Sequence, residues 1–227
     1  ITMGEGGFVA VNNEQQEKVV RSFRDWGRGC WCVGKKASTS KKGVCGKRFS
    51  CWLKDLPEEI FDHKYVYEEI GYNIKPIEIQ AAMGLSQIKK LDEIHEKRKL
   101  NYTMLYNIFK KYEKYFHLPV ATEHSDPSWF AFPLTIRDNS PFKRSDIVEY
   151  YESNKVQTRT YFAGNIMLQP AYRHLADPSK VIHEYPVARK ITTDTFFLGT
   201  SPVITKEQMH YIEKITDLFM YKIQEGI

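Results

Sequence analysis

The sequence predicts an α/β protein, and three observations carry that expectation. Its 227 residues, 42% hydrophobic and 14% aromatic, suffice for one large domain or two small ones and exclude disorder as the main state. Beyond residue 128 strand-like and helix-like patterns alternate. Between them, a long amphipathic run with no turn signal indicates extended helix packed on a core.

Taken in order, residues 1–12, ITMGEGGFVAVN, read as a glycine turn entering an alternating strand. Glu14 to Trp26 has helical spacing, with Val19, Val20, Phe23 and Trp26 on one side. Residues 27–54 lack any amphipathic period and read as a loop or insert, of a length that inside a compact domain is usually functional or disordered. Pro76 suits a first helical turn. From Ile77 to Phe116 one very long helix, or two with a bend, carries Leu85, Ile88, Leu91 and Ile94 and then Leu105, Phe109, Tyr112 and Phe116. HLPVATEHSDPS is a linker by composition, which puts the domain boundary between 1–118 and 119–227. Strands are expected at Trp129 to Ile136, Val156 to Phe162 and Thr195 to Leu198, with a helix from Arg144 to Asn154. A last helix starts at Thr205, with Gln208 closing a capping box, and buries Met209, Ile212, Ile215 and Phe219.

The net charge of +5 is unevenly placed. Residues 21–54 carry ten Lys and Arg against Asp25 alone, a local +9, so the remainder is mildly acidic at −4. Even positive coverage, as a general nucleic-acid binder needs, is absent. No run of about 18 apolar residues occurs, so no membrane partner is expected. No basic and then apolar leader opens the chain, which favours a reducing cytoplasm. Ile1 is not an initiator methionine, and a segment upstream of it is expected to have been removed.

All four cysteines, Cys30, Cys32, Cys45 and Cys51, lie in or beside the basic segment. Neighbouring Lys and Arg favour thiolates, which are soft metal ligands. The spacing is not that of a zinc ribbon; a Cys-x-Cys pair with a third cysteine suits an iron–sulfur cluster, and free thiols are the alternative. GEGG at 4–7 is a tight turn or a close approach to a cofactor. In GYNIK at 71–75, Asn73 either turns the chain or points its amide at a phosphate. Arg159 in a strand must face water, a partner or a ligand, and TRTYFAGN brings Phe162 and Asn165 close to it in sequence. His63 in DHKY could be a ligand or base, although a lone surface histidine is the commoner case.

In order, ITMGEGG, VRSFRDWGRGCWC, VCGKRF, DHKYVYEEIGYNIKPIEIQAAMGLSQIKKL and TRTYFAGNIMLQPAY resemble the DegT/StrS-type sugar aminotransferase family of fold type I over essentially the whole chain. RDWGRGCWC with CGKRF resembles its iron–sulfur sugar 3-dehydratase branch. The resemblance implies the C-terminal part of a fold-type-I PLP-dependent aminotransferase-like fold, with a cysteine-bearing insert and a small α/β C-terminal domain. It implies C-3 dehydration of a CDP-4-keto-6-deoxyhexose with pyridoxamine or pyridoxal 5′-phosphate and a [2Fe-2S] cluster, in the 3,6-dideoxyhexose pathway for lipopolysaccharide. The implied partners are the CDP-sugar, a second copy of the chain joined through the large domain, and a separate flavin and iron–sulfur NAD(P)H reductase.

Carried over, Cys30, Cys32 and Cys45 match three of four cluster cysteines, the fourth lying upstream of Ile1. Cys51 has no counterpart and is a free thiol or a substitute ligand. Asn73 matches an asparagine that reaches the partner subunit's cofactor phosphate. Arg159, Phe162 and Asn165 match the region that closes over the nucleotide-sugar. The loop between Cys32 and Cys45 is several residues longer than the family pattern. The catalytic histidine or lysine is expected two positions before Ile1, so the chain alone is expected to be inactive. A lysine there would make the protein an ordinary nucleotide-sugar aminotransferase. An iron–sulfur or zinc-binding interaction module without catalysis is the remaining alternative.

Overall fold

The computed structural model describes residues 1–30 and 48–226. Its contacts divide the chain into two compact units, Ile1–Lys89 and Lys90–Ile227. This division lies earlier in the chain than the boundary expected at 118/119; the run from Ile77 to Phe116, expected as one long helix or two with a bend, holds two helices, Glu78–Ile88 (α2) and Leu91–Lys110 (α3), and the second shares the core of the second unit.

The first unit is held mainly by backbone hydrogen bonds. Its first helix, Glu14–Arg24 (α1), starts where Asn13 Oδ1 accepts from the Gln16 amide at 2.9 Å, with Glu14 and Glu17 in its first turn and Arg21 and Arg24 in its last. The strand expected over residues 1–12 is absent: Phe8 is 92% exposed and no neighbouring strand among the described residues offers it a ladder. After α1 the chain turns left-handed at Trp26 and Gly27, φ +63° and +83°, and runs against 66–73. Trp26 N–H donates to Tyr72 O at 2.8 Å and Tyr72 N–H to Phe23 O at 2.7 Å, while Gly29 N–H donates to Val66 O at 3.0 Å. A short hairpin pairs Phe49–Ser50 (β1) with Phe61–Asp62 (β2), and a 3-10 turn at His63–Tyr65 follows.

No large apolar side chain among the described residues of this unit is buried; its buried residues with side chains are Ser22 and His63. The stripe of Val19, Val20, Phe23 and Trp26 lies on α1 and the residue pair after it as expected, yet three of the four are exposed. Helix α2 buries nothing, although EIQAAMGLSQI is apolar on more than one side. A helix of that composition ordinarily sits inside a larger core.

Among the described residues, the buried apolar core lies in the second unit. Phe116–His117 (β3), Ala131–Ile136 (β4), Arg159–Thr160 (β5) and Thr195–Gly199 (β6) form one sheet in the order β3-β4-β6-β5, antiparallel throughout. Helices Arg144–Ser153 (α4), Pro178–Glu184 (α5), Pro186–Asp194 (α6) and Lys206–Glu225 (α7) complete it. Strand β4 alternates as its sequence demands, with Phe132, Leu134 and Ile136 buried, and Phe196 and Leu198 of β6 join them. Phe109 of α3 meets Phe116 edge-on at 5.4 Å, and Phe219 of α7 meets Phe142 edge-on at 5.2 Å. The capping box of α7 forms as expected, Gln208 Oε1 accepting from Thr205 N–H at 2.9 Å. The strand expected over 156–162 shrinks to two residues, and on its C-terminal side Phe162, left-handed at φ +49°, ends the extended backbone. No helix among the described residues is long and apolar enough to cross a membrane.

Candidate functional site

Two groups of sequence-predicted residues take shape, one in each unit. In the first, the crossing of 23–29 with 66–73 sets Cys30 beside the 3-10 turn. Asp62 caps that turn, its Oδ1 accepting from Lys64 N–H at 3.1 Å, and Arg48 grips its Oδ2 through Nε and Nη2 at 2.9 and 2.7 Å. Arg48 holds the Asp62 carboxyl below the usual carboxylate range, against the opposing effect of burial. The turn presents His63, 5% exposed, so that its Nε2 lies 3.6 Å from Cys30 Sγ. Trp52 packs on the imidazole with ring centroids 5.0 Å apart.

Cys30 is thus a half-buried sulfur with a buried imidazole at its side, an environment suited to a soft ligand. Cys51 is exposed. Cys32 and Cys45 lie outside the described residues. Among the described residues, no group of three or more His, Cys, Asp or Glu converges on a metal position. His63 is the residue that sequence reasoning set aside as a lone surface histidine. The available signal was the Asp immediately before it, a helix-cap residue that fixes a turn and with it the direction of the next side chain.

Cys30 also lines a pocket of about 180 Å³ with Arg21, Ser22, Arg24, Asp25, Arg28 and Lys64. Arg24 Nε and Nη2 grip the two Asp25 oxygens at 3.2 and 3.1 Å, and Lys75 Nζ reaches Asp25 Oδ1 at 3.4 Å. Burial pushes the Asp25 carboxyl up, but Arg24 and Lys75 outweigh it and hold it below its ordinary range. Asn73 is bridged by its backbone to Asp25 and exposes its side chain, leaving the amide able to meet an external acceptor.

In the second unit, Arg159, Phe162 and Asn165 share one strand-and-turn segment. The Arg159 guanidinium donates to Thr158 O at 3.2 Å and, with the Gln157 amide turned so that its oxygen faces the two Nη atoms, to that oxygen at 3.0 and 2.7 Å. Phe162 is 67% exposed and stacks on exposed Phe130 at 6.1 Å, with Phe197 beneath it at 5.6 Å. Asn165 is buried: its N–H donates to Thr192 Oγ1 at 2.7 Å and its Oδ1 accepts from Met167 N–H at 3.1 Å. Its Nδ2 is buried with no acceptor among the described residues, an unmet donor beneath the turn. The Phe130 and Phe162 platform has the chemistry for an aromatic ligand, and the Arg159 guanidinium, three residues earlier in the chain than Phe162, has that for an anionic one. Phe130 was missed because WFAF reads simply as a strand start.

The chain matches, over residues 1–216, the model of the DegT/DnrJ/EryC1/StrS aminotransferase family. It is 40% identical to the lipopolysaccharide biosynthesis protein RfbH of Salmonella typhimurium, a match covering 93% of this chain and 47% of that protein. It is 36% identical to the dTDP-4-dehydro-2,6-dideoxy-D-glucose 3-dehydratase of Saccharopolyspora spinosa, over 98% of this chain and 46% of that one. Among solved structures, the E. coli GDP-4-keto-6-deoxy-D-mannose-3-dehydratase with bound hydrated PLP shares the fold at a TM-score of 0.55 and 21% identity, over 75% of this chain and 45% of that chain. The chain therefore spans about half the length of the curated relatives it matches.

Proposed function

The chain belongs to the DegT/DnrJ/EryC1/StrS aminotransferase family, and from that premise we propose that it is the C-terminal part of a nucleotide-sugar 3-dehydratase. The reaction is C-3 dehydration of a CDP-4-keto-6-deoxyhexose in 3,6-dideoxyhexose synthesis for lipopolysaccharide, with pyridoxamine 5′-phosphate and a [2Fe-2S] cluster. The single observation that carries the iron–sulfur part of the reading is the Cys30 sulfur 3.6 Å from the buried His63 ring, at the head of a segment that continues to Cys32 and Cys45. Two relatives named as 3-dehydratases, of a dTDP-sugar and a GDP-sugar, support the reaction class.

Cys30 has the donor chemistry for the cluster, as one ligand with Cys32 and Cys45, and the cations beside it offset the negative charge of thiolates and sulfides. Asn73, with its exposed amide, is the residue that suits the cofactor phosphate of a second copy of the chain. When bound, the cofactor supplies an electron sink and the cluster supplies single electrons from a flavin and iron–sulfur reductase. The residues of this chain bind and orient. Arg159 answers the diphosphate, the Phe162 ring covers the base or sugar, and the buried Asn165 holds the turn that presents them.

Anaerobic reconstitution with iron and sulfide, read by visible absorption and by EPR after reduction, tests the cluster. The expected result is a [2Fe-2S] spectrum that C30S weakens or abolishes. One bound zinc and no cluster signal overturns it. Calorimetric titration with CDP, dTDP and GDP tests the substrate class: CDP is expected to bind most tightly, and R159Q to weaken it about tenfold or more, the loss of one charge-assisted contact. Equal binding of all three nucleotides counts against the CDP assignment.

A further inference from the structure

We propose that the pocket lined by Arg21, Arg24, Arg28 and Lys64 is a binding site for a phosphate-class oxyanion in the chain without a cluster, a role separate from the nucleotide-sugar; Cys30, the cluster ligand proposed above, lines the same pocket. The pocket holds four cationic side chains and one carboxylate, that of Asp25. Arg21 is partly answered by Glu17, whose Oε1 lies 2.8 Å from its Nε, and Asp25 is shared between Arg24 and Lys75. Counting these neighbours, the surplus is two to three positive charges, the charge of a phosphate dianion or a pyrophosphate rather than of a single carboxylate.

Arg28 makes the site specific. Its guanidinium carbon lies 4.7 Å from the centre of the Trp26 ring and 5.7 Å from that of Tyr65, and it makes no ion pair among the described residues. Its Nε–H is buried and has no acceptor among the described residues. A buried charged donor left without an acceptor is costly, which marks the Arg28 side chain as incompletely satisfied among the described residues. Trp26 is itself locked by the Tyr72 O contact and by Lys75 Nζ 3.4 Å over its ring, so the Arg28 fork is preorganised rather than searching. At about 180 Å³ the cavity has room for a polyatomic anion and not merely one water. Guanidinium forks match tetrahedral oxyanions bidentately, and they do so best when immobilised on aromatic faces.

The test is calorimetric titration of the chain with inorganic phosphate, pyrophosphate and acetate, at matched ionic strength in a phosphate-free buffer. The expected result is saturable binding of phosphate or pyrophosphate at one site per chain, with acetate much weaker. R28Q should bind about ten- to a hundredfold more weakly, the loss of one or two charge-assisted hydrogen bonds. K64Q should bind several-fold more weakly, and K214Q, on α7, should bind as the wild type does. Circular dichroism of R28Q confirms that it is folded; should it unfold, K64Q alone carries the comparison. Absence of saturable binding overturns the proposal. So does acetate binding as well as phosphate, or wild-type affinity in R28Q, or in K64Q where that variant is the comparison.

Discussion

The substitution G27A tests the crossing that sets Cys30 beside His63 and bridges Asp25 to Asn73. Gly27 is left-handed at φ +83°, where a side chain costs about 1–2 kcal/mol. An added Cβ would stand 1.7 Å from Glu69 O and 2.5 Å from Glu69 C. Reaching ordinary contact at about 3.5 Å requires the opposing strand to retreat by roughly 1.5–2 Å. That retreat breaks the bonds that Gly27 O accepts from Glu68 and Glu69 N–H, at 2.8 and 3.1 Å, each contributing about 1 kcal/mol. The expected loss is about 3–4 kcal/mol, a large fraction of the stability of a typical domain. Urea unfolding followed by tryptophan fluorescence, in which Trp26 and Trp52 report on this unit, should show a lower midpoint. Hydrogen exchange should accelerate over 23–29 and 66–73. G7A is the control: its Cβ would meet nothing within 4 Å, so a change within about 0.5 kcal/mol is expected. Wild-type midpoint and protection in G27A would refute the reasoning, since no rearrangement short of breaking the crossing relieves a 1.7 Å contact with backbone.

Two further outcomes are expected. Because Arg24 and Lys75 hold the folded Asp25 carboxyl below its unfolded value, its stabilisation is complete above the unfolded pKa and is lost as pH falls through the folded one. D25N should therefore be less stable than the wild type at pH 7, and the gap should close below about pH 4 in a series of urea midpoints. In the second unit, F132A empties a fully buried position against Tyr102 and Phe109 and should cost about 3–5 kcal/mol, lowering the thermal midpoint on the order of 10 °C with the far-UV spectrum retained below it.

Much of the second unit was legible in the sequence, because its elements carry their own signals. The alternation of β4, the capping box at Thr205 and the Met209, Ile215 and Phe219 stripe of α7 depend on local pattern, and each element forms within a residue or two of expectation. The first unit was less legible. The alternating residues 7–12 read as a strand, yet a strand exists only where another completes its hydrogen bonds, and none among the described residues does. The run from Ile77 to Phe116 read as one helix or a bent pair, and nothing in its pattern marks Lys89 and Lys90 as the break between two units.

The same division holds for the candidate site. Sequence alone determined which residue types were at hand: cysteines in a basic segment, an asparagine before a helix, and an arginine followed by FAGN. It also determined the family, since those motifs recur in order along the chain. Tertiary structure decided which of them meet. His63 reaches Cys30 across 33 residues of sequence because a left-handed turn at Trp26 and Gly27 folds one backbone onto another. Arg28 becomes, among the described residues, an unanswered donor beside the Trp26 and Tyr65 rings only because of that fold. Contacts of this kind leave no period in the sequence, since they depend on long-range closure of the chain and not on the spacing of neighbours.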